Sequence, residues 1–191
     1  MKNPFSKREM LHIEKPDCLA TILFCDMKAF TQFVDPLTSA QAIQGLDSYL
    51  KIIVSAIEEN RGTVSKFIGD ALLAYWLEEK HSDHAALACH FTSSIQERLS
   101  VLPFEIKSLV GIHTGYVTLV RIEHGTYRSL EPLSDAVNTT CRLNALCSHY
   151  GVRAIASEPV ILQANGVSGW NNLGPVSIKG KTEPLTLYGL T

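Results

Sequence analysis

Residues 38–60 carry Ile43, Leu46, Leu50, Ile53, Val54 and Ile57 on one side of a helical wheel, and the pattern stops at Asn60-Arg61-Gly62. Such a stripe predicts an amphipathic helix that needs an apolar layer to lie on. The flanking segments supply one. LATILFCDM (19–27) precedes the helix as an apolar run of strand length, and TVSKFI (63–68) and ALLAYWL (71–77) follow it, separated by Gly69-Asp70. Gly-Asp favours a tight turn, so these two runs predict a β-hairpin with Asp70 at its tip.

The order then repeats. A second helix is predicted over about 82–99, with Ala88, Phe91, Ile95 and Leu99 on one face, followed by strand material, IKSLVGIHTGYVTLVRI (106–122), interrupted by Gly111 and Gly115. Ser134 is a plausible N-cap for a helix to about His149. Beyond it come a short strand (VRAIA), a short helix after Ser157, and two strands near SIKG and LTLYGL. The class is α+β, a ferredoxin-like βαββαβ core with additional C-terminal strands and with its helices packed on one face. Residues 1–17 are polar and end at Pro16, so they are expected to be an N-terminal tail, with one domain over 18–191.

Composition excludes several functions. Seventeen basic residues stand against nineteen acidic ones for a net charge of −2, without a block of either sign, so neither nucleic acid nor an anionic membrane is an expected partner. No apolar run reaches the roughly 18 residues of a membrane span, and no apolar segment follows the first basic residues as in a signal peptide. The five cysteines lack a CxxC pair and sit among apolar neighbours, which predicts reduced core thiols and a cytoplasmic setting.

Several residues bear chemistry. Asp26 ends the first strand and Asp70 tips the hairpin, so a β-α-β crossover brings both carboxylates to one edge, where two oxygens suit Mg²⁺ or Mn²⁺ together with substrate phosphates. Either aspartate alone reads equally as a local cap. Phe30 and Thr31 begin a helical turn after Asp26 whose free N–H groups suit a phosphate. Asn138 and Arg142, four apart on a helix, project from the same face and can grip one ligand, or be merely solvated. Lys66 stands in an otherwise apolar strand, as a ligand contact or as edge protection. Gly180-Lys181-Thr182 is not a P-loop, because Pro175 stands where its first glycine belongs. His81, Asp83, His84 and His90 do not share one helical turn, which argues against zinc, and no hydrolase signature is found.

Taken in order, FCDMKAFT (24–31), SKFIGDALLAYW (65–76), GIHTG (111–115), SDAVNTTCRLN (134–144) and IKGKTEPLTLYGL (178–190) resemble the catalytic domain of class III nucleotide cyclases, over about residues 19–190. The resemblance implies a head-to-tail homodimer with nucleotide between subunits and two Mg²⁺ or Mn²⁺ ions per site on Asp26 and Asp70. It makes Lys66 and Glu131 the base-reading positions, Asn138 the ribose-orienting residue, Arg142 the residue that stabilises the pentavalent phosphorus, and Lys179 a contact to the terminal phosphates. Lysine at position 66 implies adenine and hence an adenylate cyclase, whereas Glu131 departs from the aspartate or threonine usual in such enzymes. The alternatives are a pyrimidine cyclase of an antiphage system and a catalytically silent nucleotide-binding module. IGDALLAY is not the GGDEF signature, which places diguanylate cyclases last.

Overall fold

A computed structural model describes residues 10–191. Part of the expected tail, residues 1–9, lies outside the described residues. Strand β1 (Leu11–Met27) leads through the short helix α1 (Phe30–Val34) into α2 (Ser39–Glu59), then β2 (Thr63–Ile68), β3 (Ala71–Leu77), α3 (His84–Leu99) and β4 (Ser108–His124). These are followed by β5 (Tyr127–Leu133), α4 (Asp135–Tyr150), β6 (Ala154–Ser157), α5 (Glu158–Gln163), β7 (Trp170–Val176) and β8 (Leu185–Leu190). The strands form one sheet in the order β2-β3-β1-β4-β6-β8-β7, with β5 paired to β4 alone. The first four strands thus have the ferredoxin-like arrangement that the strand–helix–hairpin pattern predicts.

Local chemistry explains the long helix. Thr38 caps α2 by accepting from the Gln41 amide while the Gln41 side chain accepts from the Thr38 amide, a reciprocal capping box. The helix stops at Asn60, whose side chain donates to the Ala56 carbonyl at 2.8 Å. Ile53, Ala56 and Ile57 pack with Ala88, Phe91 and Ile95 of α3 against Leu23, Cys25, Leu72 and Trp76 of the sheet. Alternate residues of the same strands, Ile22, Leu73 and Tyr75, face the other way, towards Ala136 of α4. With both faces covered, β3 is buried along its whole length, the reason for its unbroken apolar run.

Four expectations need correction. The two crossover helices share a face, but α4 covers the opposite one, so the helices do not all lie on one side. The first strand begins at Leu11 instead of near Cys18: Leu11 pairs with Ile122 and Ile13 with Val120, and the strand passes Pro16 and the left-handed Asp17 by way of register shifts. Gly111 and Gly115 do not interrupt β4. A Cβ at Gly111 would stand 2.3 Å from the Thr140 carbonyl oxygen and one at Gly115 2.9 Å from the Ala136 Cβ, so both glycines let α4 settle onto the sheet. SIKG is not a strand. Its place is taken by β7, and residues 178–181 form a turn closed by the Lys181 amide on the Ile178 carbonyl.

Candidate active site

The α4-bearing face of the sheet gathers the polar residues. On β1, Ile22 and Phe24 pack towards the α4 side while Leu23, Cys25 and Met27 face the opposite core, so the period-2 alternation puts Asp26 on the α4 side at the strand's end. Asp70 follows Gly69, whose φ of +65° makes the β2–β3 turn. Burial, and after it the Asp70 charge, push the Asp26 carboxyl up to about 6. Asp26 Oδ1 is buried and has no hydrogen-bond partner among the described residues. A buried, partnerless carboxylate oxygen beside a second carboxylate is relieved by a proton or by a cation, and two such carboxylates fit Mg²⁺ or Mn²⁺. Among the described residues no three His, Cys, Asp or Glu side chains cluster as metal ligands, so a cation held here would take its remaining ligands from substrate oxygens or water. His84, weighed as a metal ligand, bonds instead to Thr21 inside the core.

Lys66 reaches this face through an irregularity. Val64 pairs with Ala74, and after a register shift Lys66 pairs with Leu73. Ala74 belongs to the α2–α3 core and Leu73 to the opposite one, so the extra residue, Ser65, turns Lys66 onto the α4 side. Strand β5 is hydrogen-bonded only to β4 but also lies against β2. Lys66 Nζ therefore stands 2.5 Å from Glu131 Oε2, with the Glu131 side chain only 6% exposed. Ser129 Oγ donates to Glu131 Oε1 at 3.0 Å and the Tyr127 hydroxyl at 3.4 Å. Burial would raise the Glu131 carboxyl, but these donors outweigh it and hold the group below its ordinary range, ionised.

Helix α4 supplies the rest. Ser134 caps it, accepting from the Val137 amide, as the sequence predicts. Asn138 is exposed and Arg142 partly buried on one face of this helix. Arg142 Nη1 is buried without a hydrogen-bond partner among the described residues, and its nearest carboxylate oxygen, Asp135 Oδ1, is 4.0 Å away. Lys179 is exposed in the 178–181 turn. Thr31 is exposed at the start of α1, whereas the Phe30 ring packs against the α2–α3 core. No hydrogen bond or ion pair among the described residues joins Asp26 or Asp70 to Lys66, Glu131, Asn138 or Arg142. The fold thus brings Lys66 to Glu131 and sets Asn138 and Arg142 four residues apart on α4, with neither aspartate bonded directly to any of them.

The sequence missed three contributors: the Ser65 bulge, the Tyr127–Ser129 support of Glu131, and Asp135, whose carboxylate Oδ2 lies 2.5 Å from Lys181 Nζ. Asp135 was legible in principle, three residues before Asn138 on the same helical face. The core-thiol expectation is corrected at Cys141, which is only partly buried and lies near enough to Lys66 and Arg142 to feel both charges.

Comparison with known proteins follows the same lines. Residues 12–191 match the model of the adenylate and guanylate cyclase catalytic domain. An "Adenylate cyclase 1" of Rhizobium meliloti is 26% identical over 88% of this chain, and an adenylate cyclase of Anabaena cylindrica 28% over 88%. The matched regions span 27% and 36% of those relatives, which are much longer. The crystal structure of the adenylyl cyclase CyaB from P. aeruginosa superposes with a TM-score of 0.82 at 19% identity, covering 94% of this chain and 96% of that one. No helix among the described residues is long and apolar enough to cross a membrane.

Proposed function

Because the chain belongs to the family of adenylate and guanylate cyclase catalytic domains, we propose that it is an adenylate cyclase. It converts ATP to 3′,5′-cyclic AMP and pyrophosphate at a site shared by two copies of the chain. The observation that carries the base assignment is the Lys66–Glu131 pair. A lysine ammonium has three N–H donors and a carboxylate about four acceptor positions, so the pair keeps capacity after bonding to itself. It offers a donor beside an acceptor, which is complementary to adenine N1 and its exocyclic amine. Guanine presents the reverse pattern, an N1–H and an O6 acceptor, so two buried mismatches disfavour it.

The ribose 3′-hydroxyl gives up its proton to water as its oxygen bonds to the α-phosphorus of its own nucleotide, and the bond from that phosphorus to the leaving pyrophosphate oxygen breaks. Asp26 and Asp70 would hold the Mg²⁺ or Mn²⁺ ions, two per site, which when bound would supply Lewis acidity and neutralise charge on the phosphoryl oxygens. Asn138 orients the ribose. Arg142, whose buried Nη1 has no acceptor in its own chain among the described residues, donates to the phosphoryl oxygens as charge gathers there. Lys179 meets the terminal phosphates, and the first amides of α1, at Phe30 and Thr31, face them from the metal side. Membership of the cyclase family, together with the buried Asp26 Oδ1 and Arg142 Nη1 that find no partner in their own chain among the described residues, supports a homodimer in which one protomer provides Asp26 and Asp70 and its partner the rest.

Incubation of the purified protein with Mn²⁺ and each of the four ribonucleoside triphosphates tests this reading. ATP should be cyclised fastest and GTP slowest. A dominant CTP or UTP product would favour a pyrimidine cyclase, a reading supported by Glu131 because cytosine also sets a ring acceptor beside an amine. No cyclic product from any nucleotide would leave a silent nucleotide-binding module.

A further inference from the structure

Asp135, Asn138 and Arg142 fall at i, i+3 and i+7 along α4 and therefore line one face of it. The turn at residues 178–181 lies on that face. Ile178 anchors its start in the core beside Leu143 and Cys147 of α4, and two polar contacts fix the rest. Lys181 Nζ reaches Asp135 Oδ2 at 2.5 Å, and Gly180, in the left-handed region at φ +82°, brings its main chain against the Arg142 guanidinium, where a Cβ would stand 3.2 Å from Nη1. Asp135 Oδ1 points towards Arg142 as well, but at 4.0 Å it is beyond hydrogen-bond reach. Its carboxylate thus binds the turn and leaves Arg142 free. The lysine of the same turn that stays exposed is Lys179.

We propose that Asp135 and Lys181 are a positioning pair that pins the exposed end of the turn, residues 179–181 beyond the buried Ile178, onto α4, setting where Lys179 and Arg142 stand relative to the polyphosphate of the nucleotide. Lys181 serves here as a strut tied to its own helix, and the phosphate contact falls to Lys179. This assignment rests on the cyclase reading, since that reading makes this face the polyphosphate end of the site. The pair is partly solvated, the Lys181 side chain being 25% and that of Asp135 56% exposed, so its work is geometric, with little effect on global stability. Misplacing a catalytic cation by about 1 Å is enough to cost a large factor in rate.

The test compares wild type, Asp135→Asn, Lys181→Met and the charge-exchanged double variant Asp135→Lys/Lys181→Asp. Three quantities are read: kcat and KM for ATP, affinity for 3′-deoxy-ATP, which cannot cyclise, and amide hydrogen exchange over residues 177–183. Each single variant should speed exchange in the turn and lower kcat by about tenfold or more, with affinity for 3′-deoxy-ATP changing less than about threefold. The double variant should recover both exchange protection and kcat. Unchanged exchange in Asp135→Asn would overturn the proposal, whatever the activity. Faster exchange with unaltered kcat would also overturn it, as would tighter binding of the analogue with raised kcat, which would make Asp135 a competitor of the phosphates. A wild type that cyclises nothing would end the cyclase reading, while the exchange measurement would still decide whether the pair holds the turn.

Discussion

The two faces of one sheet do different work with the same strands. Towards α2 and α3, Leu23, Cys25, Leu72, Ala74 and Trp76 form a continuous apolar layer with helix side chains fully buried above it. Towards α4, the layer breaks into two smaller clusters, around Ile22 and Leu73 and around Leu143 and Ile155, and the polar residues Asp26, Lys66, Glu131 and Arg142 stand on or beside them. Strand alternation makes the division possible, since neighbours in sequence lie on opposite faces. Stability is concentrated on one side, so the other is free to hold partnerless groups such as Asp26 Oδ1 and Arg142 Nη1.

The comparison breaks if substitutions on one face have the other's phenotype. The largest effect is expected for Asp26→Asn and Asp70→Asn. Each should reduce turnover by roughly 10³-fold or more, because several kcal/mol of charge stabilisation is lost. The melting temperature of Asp26→Asn should hold or rise, since a partnerless buried charge is removed. A melting temperature that collapses while the folded fraction stays active would reverse the roles of the faces.

On the helical face, Trp76 is 1% exposed and its indole N–H donates to the Asn60 carbonyl at 2.7 Å. Trp76→Ala should cost about 3–5 kcal/mol in denaturant unfolding, with kcat per folded molecule unchanged.

Two groups on the α4 face sharpen the contrast through pH. Burial, and then the Lys181 charge, push His113 down to about 4, and its Nδ1 lies 2.7 Å from Ser157 Oγ. The unfolded chain takes up this proton near pH 6.5 while the folded chain resists it, so stability falls as pH drops from 6.5 towards 4. Asp26 acts with opposite sign. Its raised carboxyl binds a proton in the folded state below about pH 6, whereas the unfolded group waits until about 4, so metal-free protein gains stability from it as pH falls across that window. Thermal melting from pH 7 to 4 should therefore show a shallower acid loss in His113→Gln, by about 3 kcal/mol at pH 4, and a steeper one in Asp26→Asn.

The smallest effect concerns base choice. Glu131→Asp withdraws the carboxylate from Lys66 by a methylene, and the ratio of kcat/KM for ATP to that for CTP should change by about tenfold. An unchanged ratio would mean that Glu131 only supports Lys66.

Much of the fold was legible because its signals are local. The helix over 38–60, the Gly69-Asp70 turn and the Ser134 cap each depend on neighbours within a few residues, and each stands in the structure where the sequence placed it, except that Ile43 of the stripe is 68% exposed while Tyr49 and Ala56 join the buried face. The errors share a cause, which is that long-range packing decided the outcome. Leu11 and Ile13 are exposed and belong to a strand only through backbone pairing with β4, so no apolar pattern marked them. Gly111 looked like an interruption because the helix that lies on it is far along the chain. For the proposed site, residue types and spacings point to Asp26, Asp70, Asn138 and Arg142 through family resemblance. The meeting of Lys66 with Glu131 required both a one-residue bulge and the approach of β5 to β2, which no local pattern encodes.

The central claim is that two chains complete one nucleotide site, with aspartates from one and Asn138, Arg142 and the base-reading pair from the other. Mixing Asp70→Ala protein with Arg142→Ala protein, each inactive alone, tests it most directly. Statistical exchange of subunits places both defects in one of the two sites of the heterodimer and leaves the other intact, so cyclic AMP formation should return to about one quarter of the wild-type rate. No recovery, with subunit exchange demonstrated separately, would mean that a single chain builds the whole site and would contradict the account.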